Sequence, residues 1–386
     1  MKTKQKSFGR RALSLLGAVA ISAFALQSHA APANGYQVTN IVSDLAGVAT
    51  NLDSSLLNPW GFVFDPNTNL IIADNGADLA TFYGADGSVI PFSINVPTTP
   101  SGMEYNLSLT DFLIGPSTNP QPAQLLFCTE AGTIQGFTLA VDFNTTELAV
   151  DDSASGAVYK GMTLAKVFGK QYLYVTDFHN NLVKVYDHNF HLAGSFTDPQ
   201  VPAGYAPFNI RSLGSFLYVT FAKQKLPDAH DDEAGPGNGF VDIFTPGGTL
   251  VRRLVKHDHL NSPWGLALAP SNFGKFSGAL LVGNFGDGTI NAYDAFTGYP
   301  LGHLTDAAGN TIVIPGLWSI KFLPAVQKNQ HGRDFRGDDE GDDDDDRNGG
   351  NASLYFTAGP NGEADGVVGI ITPATKRHHV VRHADY

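Results

Sequence analysis

Three ionisable residues, Glu104, Arg211 and Lys321, occupy one position of a repeating segment whose alternate copies carry Val63, Thr163 and Ala267 there. An unpaired charge is costly to bury, so charges placed where other copies use small or apolar residues need a partner. Two arrangements fit. Glu104 pairs with Arg211 or Lys321 in a network that plugs a channel, or Arg211 and Lys321 hold an anionic group with Glu104 as metal ligand or general base.

A second set stands at turns. Asn58, Asp74, Asn75, Glu130, Asp177, His179 and Asn284 fall in loops that share one face of the fold argued below, together with Ser101, Asn261 and Ser262. Carboxylates, amides and an imidazole around a channel suit a ligand or a divalent cation such as Ca or Zn. Asp and Asn also favour such turns for their own backbone hydrogen bonds, so residue type alone leaves both readings open. Asn209, on an inner strand, would join Glu104, Asp74 and Asp177 if the channel held a hydrolytic metal. The longest insertion on this face, Lys223 to Asn238, is a candidate lid and contains His230, Asp231 and Asp232. These three are metal-ligand types, although adjacent residues rarely turn all their side chains to one ion. The sequence itself requires no cofactor.

The elements that position these residues come from a repeat. Asn58-Pro59-Trp60-Gly61 matches Ser262-Pro263-Trp264-Gly265, with Leu317-Trp318-Ser319 as a looser copy. Trp60 and Trp264 are 204 residues apart, four steps of 51, and Trp318 lies 54 further on. Degenerate copies fill the gaps at Ser101, Lys160 and Phe208, which makes six units. A period near fifty with short β-rich runs and Gly turns predicts an all-β, six-bladed propeller of four-stranded blades. Blades begin near residues 58, 99, 158, 206, 262 and 316. The last has only three strands of its own, so Tyr36 to Val42 is expected to close the ring as its outer strand. Trp60, Trp264 and Trp318 would then pack beside that seam.

Residues 1–30 read as an export signal: a basic front of Lys2, Lys4, Lys6, Arg10 and Arg11, an apolar stretch, and Ser28-His29-Ala30. Secretion through the general route is favoured over the twin-arginine one, to the periplasm or outside the cell, with no membrane anchor left after cleavage. Residues 31–386 form one domain. It keeps 19 Lys plus Arg against 37 Asp plus Glu, a net charge of −18 that excludes nucleic acid as a partner. Cys128, in an apolar run, reads as a buried structural thiol. The acidic insertion at 330–350, with its run Asp338 to Asp346, and the extension at 374–386 read as solvated additions.

The Pro-x-Gly-apolar start, Ala73-Asp74-Asn75-Gly76 and the Gly turns resemble the NHL-type propeller repeat. Tyr36 to Asn40, Asn58 to Gly61, Thr129 to Ile134 and His230 to Gly239 resemble, more closely, a family of exported bacterial proteins of uncharacterised function, over nearly all of Tyr36 to Thr372. The resemblance implies the propeller and transfers no activity. The expectation is a monomeric exported propeller that binds a small molecule, glycan or protein on its channel face. A Ca- or Zn-dependent lactonase or esterase is the alternative.

Overall fold

The computed structural model describes residues 35–324 and 352–374. The stretch read as an export signal, the acidic insertion and nearly all of the C-terminal extension lie outside them.

The described chain is a six-bladed β-propeller. The first blade runs through Pro59–Phe64, Leu70–Asp74, Leu79–Tyr83 and Val89–Asn95. The next four repeat this order from inner strands at Pro100–Tyr105, Tyr159–Val167, Tyr205–Leu213 and Pro263–Leu268. In the sixth, Leu317–Phe322, Leu354–Ala358 and Val367–Pro373 are completed by Tyr36–Ser43, paired antiparallel from Tyr36 against Pro373 to Ser43 against Val367. The first strand of the described chain thus closes the ring, and the edge of Val367–Pro373 is covered. Alternating apolar side chains on each strand bury themselves between neighbouring blades. Val63, Ile71 and Ala73 of the first blade, for example, meet Met103, Leu125 and Phe127 of the second.

One irregularity recurs in all six blades. Pairing of the inner strand with its neighbour breaks at the repeat position, as between Pro59 and Phe62 or between Tyr159 and Met162. A β-bulge re-aims a side chain that the two-residue period would otherwise send into the blade interface. Hydroxyls replace the lost ladder bonds: Thr176 Oγ1 accepts from Gly161 N (2.8 Å), Thr220 Oγ1 from Asn209 N (3.0 Å) and Thr357 Oγ1 from Ser319 N (3.1 Å). Bonds to carbonyls at or just before the next blade's repeat position then tie the ring together. Thr357 donates to Trp60 O (2.6 Å), Ser101 to Tyr159 O (2.7 Å) and Asn209 Nδ2 to Trp264 O (2.7 Å).

A buried charge cluster in the fourth blade makes stability depend on pH. Arg253 serves two carboxylates, Asp242 through Nε (3.0 Å) and Asp198 through Nη2. Burial pushes Asp242 up to about 7, Arg253 opposes the rise, and Asp198 adds to it. A carboxyl raised on folding stabilises fully below its unfolded value, about 3.9, and loses that contribution as pH climbs to the folded value. The stability advantage of the parent over Asp242→Asn should therefore shrink by about 2 kcal/mol between pH 5.5 and 7. Denaturant unfolding of both proteins at the two pH values measures it, and a constant difference would contradict it.

Candidate functional site at the channel mouth

The bulges turn the repeat-position side chains toward the ring axis, where they fill the channel. Trp60 stacks on Trp318 (centroids 3.7 Å apart), and Trp264 meets both edge-on at 6.4 and 5.8 Å. Phe285 stacks on the Trp318 ring at 4.0 Å, and Phe208 and Phe178 complete the cluster. The tryptophans do belong to the blades at the seam, but they pack against one another across the axis rather than along it. Below them lies a small cavity of about 10 Å³ lined from all six blades. It holds one water-sized group.

The polar side chains of the mouth are built around Lys160, which occupies the repeat position of the third blade. Lys160 is 2 % exposed, pairs with Glu130 Oε1 and lies over the Trp60 ring, 5.0 Å from its centroid. The other oxygen of Glu130 accepts from Asn75 Nδ2 (2.9 Å). Asn58 continues the chain, donating to Asn75 Oδ1 (3.2 Å) and Glu363 Oε2 (2.7 Å) and accepting from Trp318 Nε1 (3.1 Å). Burial raises the Glu363 carboxyl, with the Asn58 bond opposing.

The Lys223–Asn238 connection covers this assembly. It leaves the fourth blade, crosses the third, where His179 Nδ1 meets Asp228 O at 3.0 Å and Gln224 Nε2 donates to Phe178 O (2.6 Å), and reaches Glu130 of the second. Gly235 N donates to Asn261 Oδ1 (2.7 Å) on the fifth blade's side. At its tip His230 Nδ1 and Asp231 Oδ1 are 2.8 Å apart, and one ligand atom from each of Glu130, His230 and Asp231 lies within 4.8 Å of the others. Asp232 turns the other way. Its carboxyl is raised by burial and lowered by Ser262 and Lys160, and its Oδ2 has no hydrogen-bond partner. Ser262 Oγ, Trp60 Nε1 and Trp264 Nε1 are likewise buried without one. Buried polar groups are rarely left so, and the approach of Ser262 to Asp232, close enough to lower that carboxyl, does not complete a well-formed hydrogen bond.

Of the residues expected at the rim, Asn58, Asn75 and Glu130 converge here. Asp74, Asp177 and Asn284 are fully buried in their own blades. Asp74 accepts from Thr81 Oγ1 (2.6 Å), and its carboxyl is raised well above the usual range by burial. Asp177 accepts from Asn180 Nδ2 (2.9 Å) and pairs with Lys184 (3.3 Å), and Asn284 Nδ2 donates to His259 O (2.7 Å). Asn209 is the inter-blade tie already described, and exposed His179 anchors the lid. Glu104, Arg211 and Lys321 sit beyond the aromatic plug. Cys128 is fully buried, and burial pushes its thiol up to about 12, which keeps it a packing group. Lys160, Glu363 and the tryptophan N–H groups were not anticipated. The signal for Lys160 was its charge at a position that is aromatic in four other blades.

A much larger cavity, about 860 Å³, lies elsewhere, between Tyr36–Ser43 and the 304–316 connection. Its lining is mostly apolar, and its one ionisable carboxylate, Asp306, is committed to its own turn through Asn310 and Ala308. The convergent polar groups lie at the mouth instead.

No protein-family model matches the chain. An uncharacterised protein of Acanthamoeba polyphaga mimivirus is 29% identical over 351 residues, covering 87% of this chain and 80% of that protein. A second from the same virus is 32% identical over 267 residues, 67% of this chain and 48% of the other. Among solved structures, the luciferin-regenerating enzyme superposes with a TM-score of 0.51 at 12% identity, over 88% of this chain and 98% of that one. Likeness at that identity shows the fold alone. The relatives matched by sequence are viral and uncharacterised, so the resemblance to an exported bacterial family finds no support among them.

Proposed function

We propose that this chain is an exported propeller that binds a hydroxyl-rich or cationic ligand at its lid-covered mouth. One observation carries the reading: beneath or beside a connection that spans three blades, two indole N–H groups are buried and unpartnered, and the neighbouring Ser262 hydroxyl and Asp232 Oδ2 lack a well-formed hydrogen bond although Ser262 is near enough to lower the Asp232 carboxyl. The N–H groups donate only, the Asp232 oxygen accepts, and Ser262 can do either, a set that suits sugar hydroxyls. Four carboxylates, Glu130, Asp231, Asp232 and Glu363, face the buried ammonium of Lys160, and Lys225 acts on Asp231 as well, which leaves a formal charge of −2 that disfavours anions. Export is supported by the basic front, apolar stretch and small-residue end of residues 1–30. Full-length chain beginning at Met1 in the mature protein would argue against it.

A second reading, a metal-dependent hydrolase, is favoured by the approach of Glu130, His230 and Asp231. An imidazole with two carboxylates suits Zn better than Ca. A thermal-shift panel of oligosaccharides, polyamines, Zn and Ca separates the two. The binding reading expects an organic ligand to raise the unfolding midpoint by several degrees in the parent and to lose most of that effect in Asp232→Asn and Ser262→Ala. A response to Zn alone, abolished in His230→Ala, would favour the hydrolase. No response to any member would leave the mouth as structure.

A further inference from the structure

The aromatic plug separates the mouth from a second group of charges further along the inner strands. Glu104, Arg211 and Lys321 are each partly exposed. Arg211 reaches across the axis, and its Nη1 donates to Leu266 O (3.2 Å) and Ile320 O (3.4 Å). Its Nε and Nη2 have no protein partner among the described residues. The Lys321 ammonium has neither a hydrogen bond nor an ion pair among them, and it lies 5.7 Å from the centroid of the Phe62 ring. Glu104 acts on both cations through space but pairs with neither. The expected ion-pair network is thus not formed. Two cations against one carboxylate leave a charge of +1, next to the small cavity lined by Asn209, Arg211, Ser319 and Lys321.

We propose that this end of the channel binds a small monocarboxylate between Arg211 and Lys321, with Glu104 limiting the site to one negative charge. A single carboxylate brings the group to neutrality, whereas a dianion would meet Glu104 with an uncompensated charge. The free Nε–Nη2 edge of Arg211 matches a carboxylate fork, and Lys321 supplies a point charge beside it. The cavity admits one further small group, so the rest of the ligand must face away from the plug. Burial pushes Lys321 down to about 8, Glu104 resists, and Arg211 adds to the fall. Affinity should therefore drop as pH rises from 7 to 9. Arg211 stays charged over that range, and Glu104 faces the pair throughout.

Calorimetric titration of the full chain with acetate, and with sulfate at matched ionic strength, tests the site. Acetate should bind saturably, and Lys321→Met and Arg211→Met should each weaken it by about tenfold or more. Lys321→Arg, which retains the charge if the methionine variant folds poorly, should keep binding at pH 9. Glu104→Gln should admit sulfate. Asp232→Asn at the mouth should leave acetate binding unchanged, which separates this site from the one above. Unsaturable acetate binding, or equal affinity in parent and Lys321→Met, would overturn the proposal.

Discussion

Gly102→Ala should destabilise the propeller by about 3 kcal/mol or more, at the top of the range for overpacking a core. A Cβ on Gly102 would lie 2.7 Å from Met162 N, 2.9 Å from Gly161 Cα and 3.0 Å from Gly161 C. All three are backbone atoms of the next inner strand, so no rotamer change relieves the clash. The strand cannot retreat freely either, because the ring is closed at Tyr36–Ser43 and the Ser101 to Tyr159 bond fixes the same junction. Gly61 and Gly265 meet the backbone of their neighbours in the same way, at Ser101 O (2.7 Å) and Trp318 O (2.9 Å). The glycine after the repeat residue is therefore what lets adjacent blades close to backbone contact. Gly194, in the outer strand of the third blade, has nothing within 4 Å of its would-be Cβ and is the control. Gly194→Ala should change stability by no more than about 0.5 kcal/mol. Urea unfolding of the two variants decides the matter: similar midpoints would mean that the inner strands have room to shift.

Trp60, Trp264 and Trp318 exposed the period, and the blade count, strand order and ring closure followed because each depends on short-range pattern and turn chemistry. The direction of the repeat side chains was not legible. Strict alternation puts Trp60 on the same face as Phe62, and only the bulge, a feature of pairing between strands, sends it to the axis. Residue type equally could not separate Asn58 and Asn75, which meet at the mouth, from Asp74, Asp177 and Asn284, which satisfy their own blades. The same hydrogen-bonding capacity serves both uses, all five are buried, and only the partner that each side chain meets distinguishes them. The divergence of Asp231 and Asp232 agrees with the expectation that neighbours do not all face one ion. Their meeting points, Glu130 for one and Ser262 for the other, lie on different blades and leave no local trace. The Glu104, Arg211 and Lys321 register was visible at once, but the missing ion pair depends on side-chain reach.

Lys160→Met should cost about 3–5 kcal/mol at pH 8, the usual penalty for removing one partner of a buried ion pair. Methionine keeps most of the aliphatic length against Trp60, so the change removes charge more than volume. Glu130 Oε1 then loses its partner, and the carboxylates of Glu130, Asp231, Asp232 and Glu363 share the mouth without a buried cation, Lys225 acting on Asp231 alone. Burial already raises Asp232 and Glu363, and Lys160 is one of the groups that holds each of them down. Without it both rise further above their unfolded values. Groups raised on folding stabilise at low pH and lose that contribution as pH climbs, so the deficit of the variant should narrow between pH 8 and pH 5. Unfolding curves of parent and variant at the two values measure the gap. An equal deficit at both would mean that Lys160 acts by packing on Trp60 alone. If the gap does narrow, the lysine is the group that lets four acidic side chains coexist beneath the lid. The same variant, with the mouth one unit more negative, should then take up cations more tightly than the parent.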